Sequence, residues 1–424
     1  MSVDYHPMWQ ELGLDLEAHD ALLGVLGPLY QDVFLSQPNR PQGMDYFNFV
    51  MSEVHGLRIR ELLDHKARGG FVVGTFCTFV PEELVLAAGG ICVGLCAGAE
   101  WSTPEVDRLL PRNTCALIRG AFGFASARVC PYLAASDLVV GENTCDGKKK
   151  AWESFGRFVR DLHVLDLPQV KNESGRNLLR DQYEILQRRL ETLGRPVTAE
   201  ALGEAIRVVN AKRAALARLN GLRRAVPAPI SGLDALLIQQ ISFYDDPVRF
   251  TGALNALCDE LEQRVQAGSG VHADRRPRLL LSGCPMAVPN WKLPQIVEQA
   301  GAVIVGEESC IGARGLRTLV AEAATLPDQL DALVGRYFQI DCAIFSPNPE
   351  RLGHIDGMAG ELAADGVIHY CLQFCQPYQF EALQVEPVLE ERGRPVLRID
   401  TDYSPEDTGQ LRTRVEAFLE RLEA

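Results

Sequence analysis

Short apolar segments alternate with helical patterns in two separate parts of the chain, and this alternation constrains the fold more than any other feature. Each segment is short enough for a buried strand and is followed by a turn signal and then by a helical pattern. Strands that alternate with helices pair in parallel within an α/β sheet. The chain is therefore predicted to be an α/β protein with two doubly wound parallel-sheet domains. The predicted strands are FVVGTF, GICVGL, DLVVGE and HVLDL in the first part, and RLLLSG, AVIVGEE, GVIHYCLQ and PVLRIDTD in the second.

Apolar residues recur at three- and four-residue steps at the start of the chain and again in its middle, which is typical of helices. The segment QAGSGVHADRRP is a predicted loop before the second α/β part. The final stretch, SPEDTGQLRTRVEAFLERLEA, is predicted to be an amphipathic helix that begins with a Ser-Pro cap. We therefore expect a helical N-terminal segment at residues 1–65, a first α/β domain at 66–173, a helical linking segment at 174–266 and a second α/β domain at 267–424.

Composition and charge exclude several classes of protein. With 424 residues, 47% of them hydrophobic, the chain can form two domains with sizeable cores. A formal net charge of −14 argues against nucleic acid or an anionic membrane as the main partner. The N-terminal sequence lacks the basic-then-apolar pattern of a signal peptide. The longest uncharged run, Leu84 to Ala99, is too short for a membrane span. We expect a cytoplasmic protein.

Twelve cysteines are the unusual feature of the composition. In a reducing compartment they are not expected to form disulfides, so metal binding or catalysis becomes the interpretation to test. Free cysteine is also among the most buried residue types, so about half of these residues are expected to be inert core residues.

Many of the cysteines follow predicted strands or begin predicted helices, where open α/β sheets bind their ligands. Backbone amides at a helix N-terminus favour the thiolate form of cysteine, and thiolates bind soft metals. Because almost no histidine lies near these positions, an iron–sulfur centre is expected rather than a zinc site with imidazole ligands. The cysteines at such positions are Cys77, Cys115, Cys145, Cys284, Cys310, Cys342 and Cys375.

The spacing of the cysteines does not identify a site by itself. The chain contains no CxxC pair and no ferredoxin-like run of cysteines. A site would therefore need thiols from distant parts of the chain, gathered in the cleft between the two domains. From spacing alone, an iron–sulfur centre and a set of scattered core thiols remain equal alternatives.

Several charged residues near these cysteines are candidates for other roles. Glu308 and His369 are candidate catalytic residues that could supply protons during a reduction, since carboxylates in a cleft can be tuned by burial. Arg314 and Lys292 lie near strand ends and could offset the charge of an anionic cluster. The lysines 148–150 are expected to be the exposed start of a helix; alternatively, they offset cluster charge or help a partner dock.

Six longer motifs resemble the 2-hydroxyacyl-CoA dehydratase component D family, which also includes benzoyl-CoA reductase subunits and the double-cubane cluster proteins. The resemblance extends over residues 65–424 in consistent order. Three further stretches, LSGCPMAVPNWKLP, GEESCIGARG and IDCAIFSPNPERL, make the chain most similar to the double-cubane cluster proteins. The six motifs are GTFCTFVPEELVLAAGG, LPRNTCALIRGAFG, DLVVGENTCDGKKKAWE, GAVIVGEESCIGARG, DGVIHYCLQFCQPYQFE and RPVLRIDTDYSPEDTGQLRTRVEAFLE.

This resemblance implies two Rossmann-like domains, a homodimer and an 8Fe–9S double-cubane cluster held by six cysteines in each subunit. It also implies electrons from a separate ATP-hydrolysing activator with its own 4Fe–4S cluster, and anaerobic reduction of small molecules. GENTCDGKK is not a phosphate-binding loop, because five residues rather than four separate Gly141 from Gly147. ATP is therefore expected to bind only to the partner.

Carried onto this sequence, the family motifs predict a set of cluster ligands in which the sixth member is open. Cys342 is the first choice for that place, and Cys284 and Cys371 compete with it. Cys371 is expected inside a strand, where alternation directs it differently from Cys375. Cys92, Cys96, Cys130 and Cys258 are assigned to structure. The predicted ligands are Cys77, Cys115, Cys145, Cys310, Cys342 and Cys375.

Three alternatives remain open. One is a 2-hydroxyacyl-CoA dehydratase subunit, in which a single 4Fe–4S cluster generates a ketyl radical and a second, unlike subunit is required. Another is a non-catalytic iron–sulfur electron carrier. The last is a cysteine-rich α/β protein without a metal.

Overall fold

The structure, a computed structural model, describes residues 3–95, 97–101 and 103–423. Within these residues, eight strands form two four-stranded parallel sheets. All eight predicted strands are confirmed, and with them the α/β class and the two Rossmann-like units. The strands are β1 (Phe71–Thr75), β2 (Gly90–Gly94), β3 (Leu138–Glu142), β4 (Leu162–Leu165), β5 (Arg278–Gly283), β6 (Val303–Glu308), β7 (Gly366–Leu372) and β8 (Val396–Thr401).

The two sheets repeat one topology. Their strand orders are β2-β1-β3-β4 and β6-β5-β7-β8. In the first sheet Gly74 of β1 pairs with Val93 of β2 and Val139 of β3, so the strand order reverses beside β1. In the second sheet β5 occupies the corresponding place between β6 and β7. Ligands bind at such reversal points, outside the carboxyl ends of the strands.

Helices account for most of the remaining chain. A π-helical turn, Gln31–Leu35, continues the second helix, and short 3₁₀ turns lie at Gly156–Phe158 and Ala313–Gly315. The helices among the described residues are α1 (His6–Glu11), α2 (Leu16–Tyr30), α3 (Met44–Ser52), α4 (Leu57–Ala67), α5 (Glu82–Ala87), α6 (Pro104–Leu109), α7 (Ala116–Ser126), α8 (Pro131–Ala135), α9 (Asp146–Phe155), α10 (Glu173–Glu191), α11 (Ala199–Leu222), α12 (Gly232–Ile241), α13 (Pro247–Gln266), α14 (Lys292–Gln299), α15 (Leu326–Tyr337), α16 (Pro349–Glu361), α17 (Gln376–Glu391) and α18 (Thr408–Glu423).

One hydrophobic core joins the two sheets. It contains Val72 and Val139 of the first sheet together with Leu279 and Ile368 of the second. Helix α12 lies within this core, and all ten of its residues are buried. A helix that is buried on every side lacks the amphipathic stripe from which helices are recognised in a sequence. The core therefore holds the carboxyl ends of the two sheets at a common cleft.

The start of the last helix differs from its prediction. Helix α18 begins at Thr408, four residues after the serine of the Ser-Pro pair that we expected to open it. Ser404 instead forms a local turn, in which its hydroxyl accepts a hydrogen bond from the amide of Glu406 at 3.1 Å. The helical segments otherwise lie where the periodicity indicates, although the domain boundaries themselves stay a prediction.

None of the described helices combines the length and the apolar character that crossing a membrane requires.

Candidate metal centre

A cavity of about 780 Å³ lies where the carboxyl ends of the two sheets face each other. Its wall includes Thr75 at the end of β1 and Leu372 at the end of β7. Cysteine is the prominent residue type in this wall. Among the described cysteines, those that line the cavity are Cys77, Cys115, Cys145, Cys284, Cys310, Cys342 and Cys375.

The first α/β unit positions three of these thiols. Cys77 follows β1 by two residues, in the loop that leads to α5. Cys145 is the N-cap residue of α9, and its sulfur accepts a hydrogen bond from the amide of Lys148 at 3.4 Å. Cys115 is the N-cap residue of α7. Each thiol therefore occupies a strand end or a helix start, as the sequence indicates.

The second unit positions the other four. Cys284 follows β5 directly and accepts a hydrogen bond from the amide of Leu372 at 3.3 Å. Cys310 follows β6 by two residues, and Cys375 is the N-cap residue of α17. Cys342 lies in the loop between α15 and α16. These loops converge with those of the first unit, because the cysteines of both units line the same cavity.

Four of the thiols form one group, here called the Cys115 group: Cys115, Cys145, Cys284 and Cys375. The neighbouring thiol of Cys375, followed by burial, raises the pKa of Cys115 well above its ordinary value. For Cys375, the Cys115 thiol acts in the opposite direction, but Cys284 and burial raise the pKa well above its ordinary value. Burial and the Cys115 thiol raise the pKa of Cys145. Each member is thus within electrostatic range of another.

The remaining three thiols form the Cys77 group: Cys77, Cys310 and Cys342. Burial, followed by the Cys310 thiol, raises the pKa of Cys77 to about 12. The same two influences raise the pKa of Cys342 to about 11. The cavity therefore presents two clusters of thiols rather than one.

Backbone amides at a helix start favour the thiolate, as expected, but burial outweighs them. At Cys145, burial raises the pKa of the thiol even though the amides of Lys148 and Gly147 oppose this effect. The free energy lost when a thiolate is removed from water exceeds the free energy gained from one or two backbone hydrogen bonds. A metal that binds here has to displace protons from the thiols.

The spacing of the thiols does not suit a single metal ion. In the part of the chain that the structure describes, no three His, Cys, Asp or Glu side chains are grouped closely enough to hold one ion. Thiolates on one zinc ion lie about 3.8 Å apart, given Zn–S bonds of about 2.3 Å. Iron–sulfur clusters bind thiolates at separate irons and accept a wider spacing. A donor set of thiols around a large cavity therefore fits a polynuclear iron–sulfur cluster better than one ion.

Arg314 reaches a thiol of the Cys77 group. Its Nη1 donates to the Cys310 sulfur at 3.3 Å and also to the hydroxyl of Tyr378, which lines the cavity. Its Nε donates to Glu308 at 2.9 Å. The guanidinium is almost fully buried. Whether Arg314 offsets cluster charge stays a prediction. The sequence did not indicate its contact with Tyr378.

Lys148 is not simply an exposed residue at the start of a helix. Its ammonium group forms an ion pair with the buried Glu142, lies 5.7 Å from the centre of the Trp152 ring and lines the cavity. Lys150 also reaches the wall. Lys149 and Lys150 are exposed, as expected for all three.

The geometry does not support proton supply by Glu308 or His369. Both are buried, and neither is among the residues that line the cavity. Although burial opposes ionisation, Arg314 and Arg351 hold the pKa of Glu308 below its ordinary value, so it carries no proton at neutral pH. Burial lowers the pKa of His369 to about 3. Lys292 lies elsewhere, where its ammonium group donates to Asp407 at 2.6 Å.

The other described cysteines lie outside the cavity wall. Cys371 is buried within β7, in agreement with the predicted strand, and Cys258 is buried in α13. Cys92 lies in β2, and Cys130 is the N-cap residue of α8. Cys96, also assigned to structure, lies outside the described residues. Of the candidates for the sixth ligand, Cys342 and Cys284 both line the cavity, while Cys371 does not.

Comparison with known proteins gives a consistent relationship. The family model of the 2-hydroxyglutaryl-CoA dehydratase D-component matches residues 77–422. The Escherichia coli (strain K12) protein YjiM, whose name describes it as a candidate dehydratase subunit, is 38% identical over 375 residues, which cover 88% of this chain and 96% of the relative.

Two further relatives extend this relationship. The beta subunit of (R)-phenyllactyl-CoA dehydratase from Clostridium sporogenes is 27% identical, with 84% of this chain and 92% of the relative covered. One of the subunits of benzoyl-CoA reductase from Thauera aromatica is 25% identical, with 80% and 87% covered. The chain belongs to the family of the 2-hydroxyglutaryl-CoA dehydratase D-component.

Proposed function

We propose that the protein is an iron–sulfur reductive enzyme that holds an 8Fe–9S double-cubane cluster in the cavity between its sheets. The observation that carries this proposal is the presence of seven thiols in the wall of one cavity. Their mutual influences, which fall into the two groups, support the division between two cubanes. Each cubane of such a cluster would take three thiolates. Cys77, Cys310 and Cys342 would hold one cubane, and Cys115, Cys145 and Cys375 the other, with Cys284 as the additional thiol of its group.

The cluster, when bound, would supply electrons at low potential to a small molecule. The residues of the chain contribute its surroundings. The loops after β1, β3, β5, β6 and β7 bring the thiols together, and the apolar side chains of Leu117, Ile118 and Val288 in the cavity wall limit the access of water. The buried thiols lie in a region of low dielectric constant, which strengthens each hydrogen bond to sulfur.

The proposal includes partners. The chain contains no phosphate-binding loop, so a separate ATP-hydrolysing activator with its own 4Fe–4S cluster would deliver the electrons. The protein would act as a cytoplasmic homodimer under anaerobic conditions, because low-potential clusters are destroyed by oxygen. Family relatives named as dehydratases and as a reductase subunit support enzymatic activity of this kind.

A second candidate is a 2-hydroxyacyl-CoA dehydratase subunit with one 4Fe–4S cluster. It is favoured by the four members of the Cys115 group, which suffice for a single cubane. Relatives that are named as dehydratase beta subunits point the same way. In that case the Cys77 group would bind no iron, and a second, unlike subunit would be needed for activity. A non-catalytic electron carrier would show reversible reduction without turnover.

Iron and acid-labile sulfide measured in anaerobically purified protein test the proposal. About eight irons per chain support the double cubane, and about four support the single cubane. The variant Cys77→Ser should lose iron in the first case and retain it in the second. Cys130→Ser is the control, because this partly buried thiol lies outside the cavity wall. A wild-type protein without iron and sulfide would overturn both candidates.

ATP-coupled turnover separates an enzyme from a carrier. With the activator, a reductant and ATP, the proposed enzyme should reduce a small probe such as acetylene, and the rate should fall to background when ATP is omitted. A protein that is reduced reversibly but never reduces the probe would be a carrier.

A further inference from the structure

The two thiol groups differ in the hydrogen-bond donors that reach their sulfur atoms. In the Cys115 group, the donors are the backbone amides of Lys148 and Leu372, at 3.4 and 3.3 Å from the sulfur atoms of Cys145 and Cys284. In the Cys77 group, the donor to Cys310 is the guanidinium of Arg314. A hydrogen bond from a charged donor is roughly twice as strong as one from a neutral donor.

Arg314 is fixed in this position by its other donors. Nε donates to Glu308 Oε1 at 2.9 Å, and Nη2 donates to the carbonyl oxygen of Gly283 at 3.1 Å. Nη2 also contacts the carbonyl oxygen of Glu308 at 3.1 Å. These bonds tie Nε and Nη2 to the last residues of β5 and β6. Nη1 is left to point toward Cys310 and Tyr378.

A second buried cation lies beside the same group. Nη1 of Arg351 donates to Oε1 of Glu308 at 2.9 Å, the same carboxylate oxygen to which Nε of Arg314 donates. Among the described residues, the cationic side chain that donates to a cavity thiol is Arg314. The charged donor to sulfur is therefore found in the Cys77 group.

We propose that Arg314 makes the two halves of the bound centre unequal, so that the half held by Cys77, Cys310 and Cys342 accepts the first electron. This inference rests on the proposed function. One-electron reduction adds a negative charge, and no bond forms or breaks in this step. A buried cation that donates to a cluster thiolate stabilises the reduced form and makes the reduction potential less negative. Arg314 is thus a positioning residue that acts through Cys310.

The chain offers a matched control on the same strand. Glu307 and Glu308 are neighbours in β6 and point to opposite faces. Glu307 is paired with the buried Arg223, whose Nη1 and Nη2 donate to it at 2.6 and 2.7 Å. Neither arginine lines the cavity, but Arg314 reaches the sulfur of Cys310, whereas Arg223 donates to Glu307 and to the carbonyl oxygen of Ile304. Arg223→Gln therefore removes a buried arginine of the same kind without removing a donor to sulfur.

Glu308 should keep an ion-pair partner when Arg314 is substituted. Glu308 keeps the ion pair with Arg351 at 2.8 Å when Arg314 is changed, just as Glu307 keeps the amide of Gln239 at 2.7 Å when Arg223 is changed. Arg223→Gln is the harsher change, because Glu307 keeps only a neutral amide whereas Glu308 keeps a cation. A difference between them in redox properties then reports on the contact with sulfur.

The experiment is an anaerobic potentiometric titration, followed by electron paramagnetic resonance, of protein whose iron and sulfide contents have been measured. Dithionite is the reductant. We expect Arg314→Gln to shift the first midpoint potential to a more negative value, Arg314→Lys to shift it less, and Arg223→Gln to leave it at the wild-type value. If Arg314→Gln does not bind iron, Arg314→Lys decides by the same criterion.

Resonance Raman spectra of the oxidised proteins give a second readout. Loss of the hydrogen bond at Cys310 should shift the iron–thiolate stretching bands in Arg314→Gln but not in Arg223→Gln. An iron-loaded Arg314 variant with the wild-type potential would overturn the inference and leave the proposed function intact. A wild-type protein that binds no iron would overturn the proposed function, and the inference with it.

Discussion

The Cys115 group and the Cys77 group face one cavity, but they are built differently. The first has four thiols, and its hydrogen-bond donors are backbone amides. The second has three thiols and lies beside a buried network of Arg314, Arg351 and Glu308. Two sheets with the same topology therefore need not carry equivalent thiol groups, because different side chains lie at their strand ends.

The largest effect is expected on the iron content, when the Cys77 group loses one of its three thiols. Cys342→Ser should lose at least half of the bound iron, because the Cys77 group has no fourth thiol among the described residues to replace the lost ligand. Iron and sulfide analysis after anaerobic purification measures this loss. Cys258→Ser, at a buried position in α13, is the control and should keep its iron. Full iron in Cys342→Ser would remove Cys342 from the proposed ligand set.

The second effect concerns the ion network beside the Cys77 group. Glu308→Gln leaves Arg314 buried without a carboxylate partner among the described residues, while Arg351 keeps Glu381 at 2.6 Å. Breaking a buried ion pair in this way costs about 3 kcal/mol or more. The denaturation midpoint of the unloaded protein should fall clearly. The control, Glu390→Gln, removes an exposed pair with Arg421 and should change stability by less than about 0.5 kcal/mol.

The third effect concerns Glu298, a carboxylate of α14. Backbone amides hold Glu298, whereas arginines hold Glu308. Glu298 accepts hydrogen bonds from the amides of Gly232 at 2.7 Å and Ile304 at 3.3 Å. Burial raises its pKa from 4.5 to about 7. Between these values the native state holds a proton that the unfolded state releases, so stability falls as pH rises from about 4.5 to 7.

This contribution amounts to about 3 kcal/mol. It should be absent from Glu298→Gln, so the stability of the wild type relative to this variant should decrease by about that amount between pH 5 and pH 8. Chemical denaturation at the two pH values measures the change. An equal pH dependence of the two proteins would show that Glu298 is ionised throughout.

The smallest effect concerns the additional thiol of the Cys115 group. Cys284→Ser should retain nearly all of the iron, because Cys115, Cys145 and Cys375 remain in the same group. The measurement is the iron content relative to that of Cys342→Ser. If Cys284→Ser loses iron and Cys342→Ser does not, the assignment of the sixth ligand is reversed.

The strands were predictable because each is a short apolar run followed by a turn signal, as β1 and β5 illustrate. Helix α12 was not recognised separately, since a helix buried on every side shows no polar face. The start of α18 was misplaced because Ser404 can cap a turn as well as a helix. Local patterns thus locate elements better than they locate the ends of those elements.

The position of the candidate site was also predictable, because thiols after parallel strands meet at one edge of a sheet. The roles of Glu308 and His369 were not, since burial and pairing depend on distant residues. Glu308 is held by Arg351, which lies 43 positions away in the sequence. Placement alone does not decide whether Cys342 or Cys284 is the sixth ligand, because both cysteines line the cavity.

Each thiol group draws members from both sheets: Cys77 and Cys115 come from the first unit, and Cys310 and Cys375 from the second. A bound cluster would therefore link the two α/β units at the cleft between their sheets. Loss of that cluster would remove one link between the units, while the shared hydrophobic core would still join them. The apoprotein should therefore stay folded, with the cleft as the part whose stability depends most on the metal.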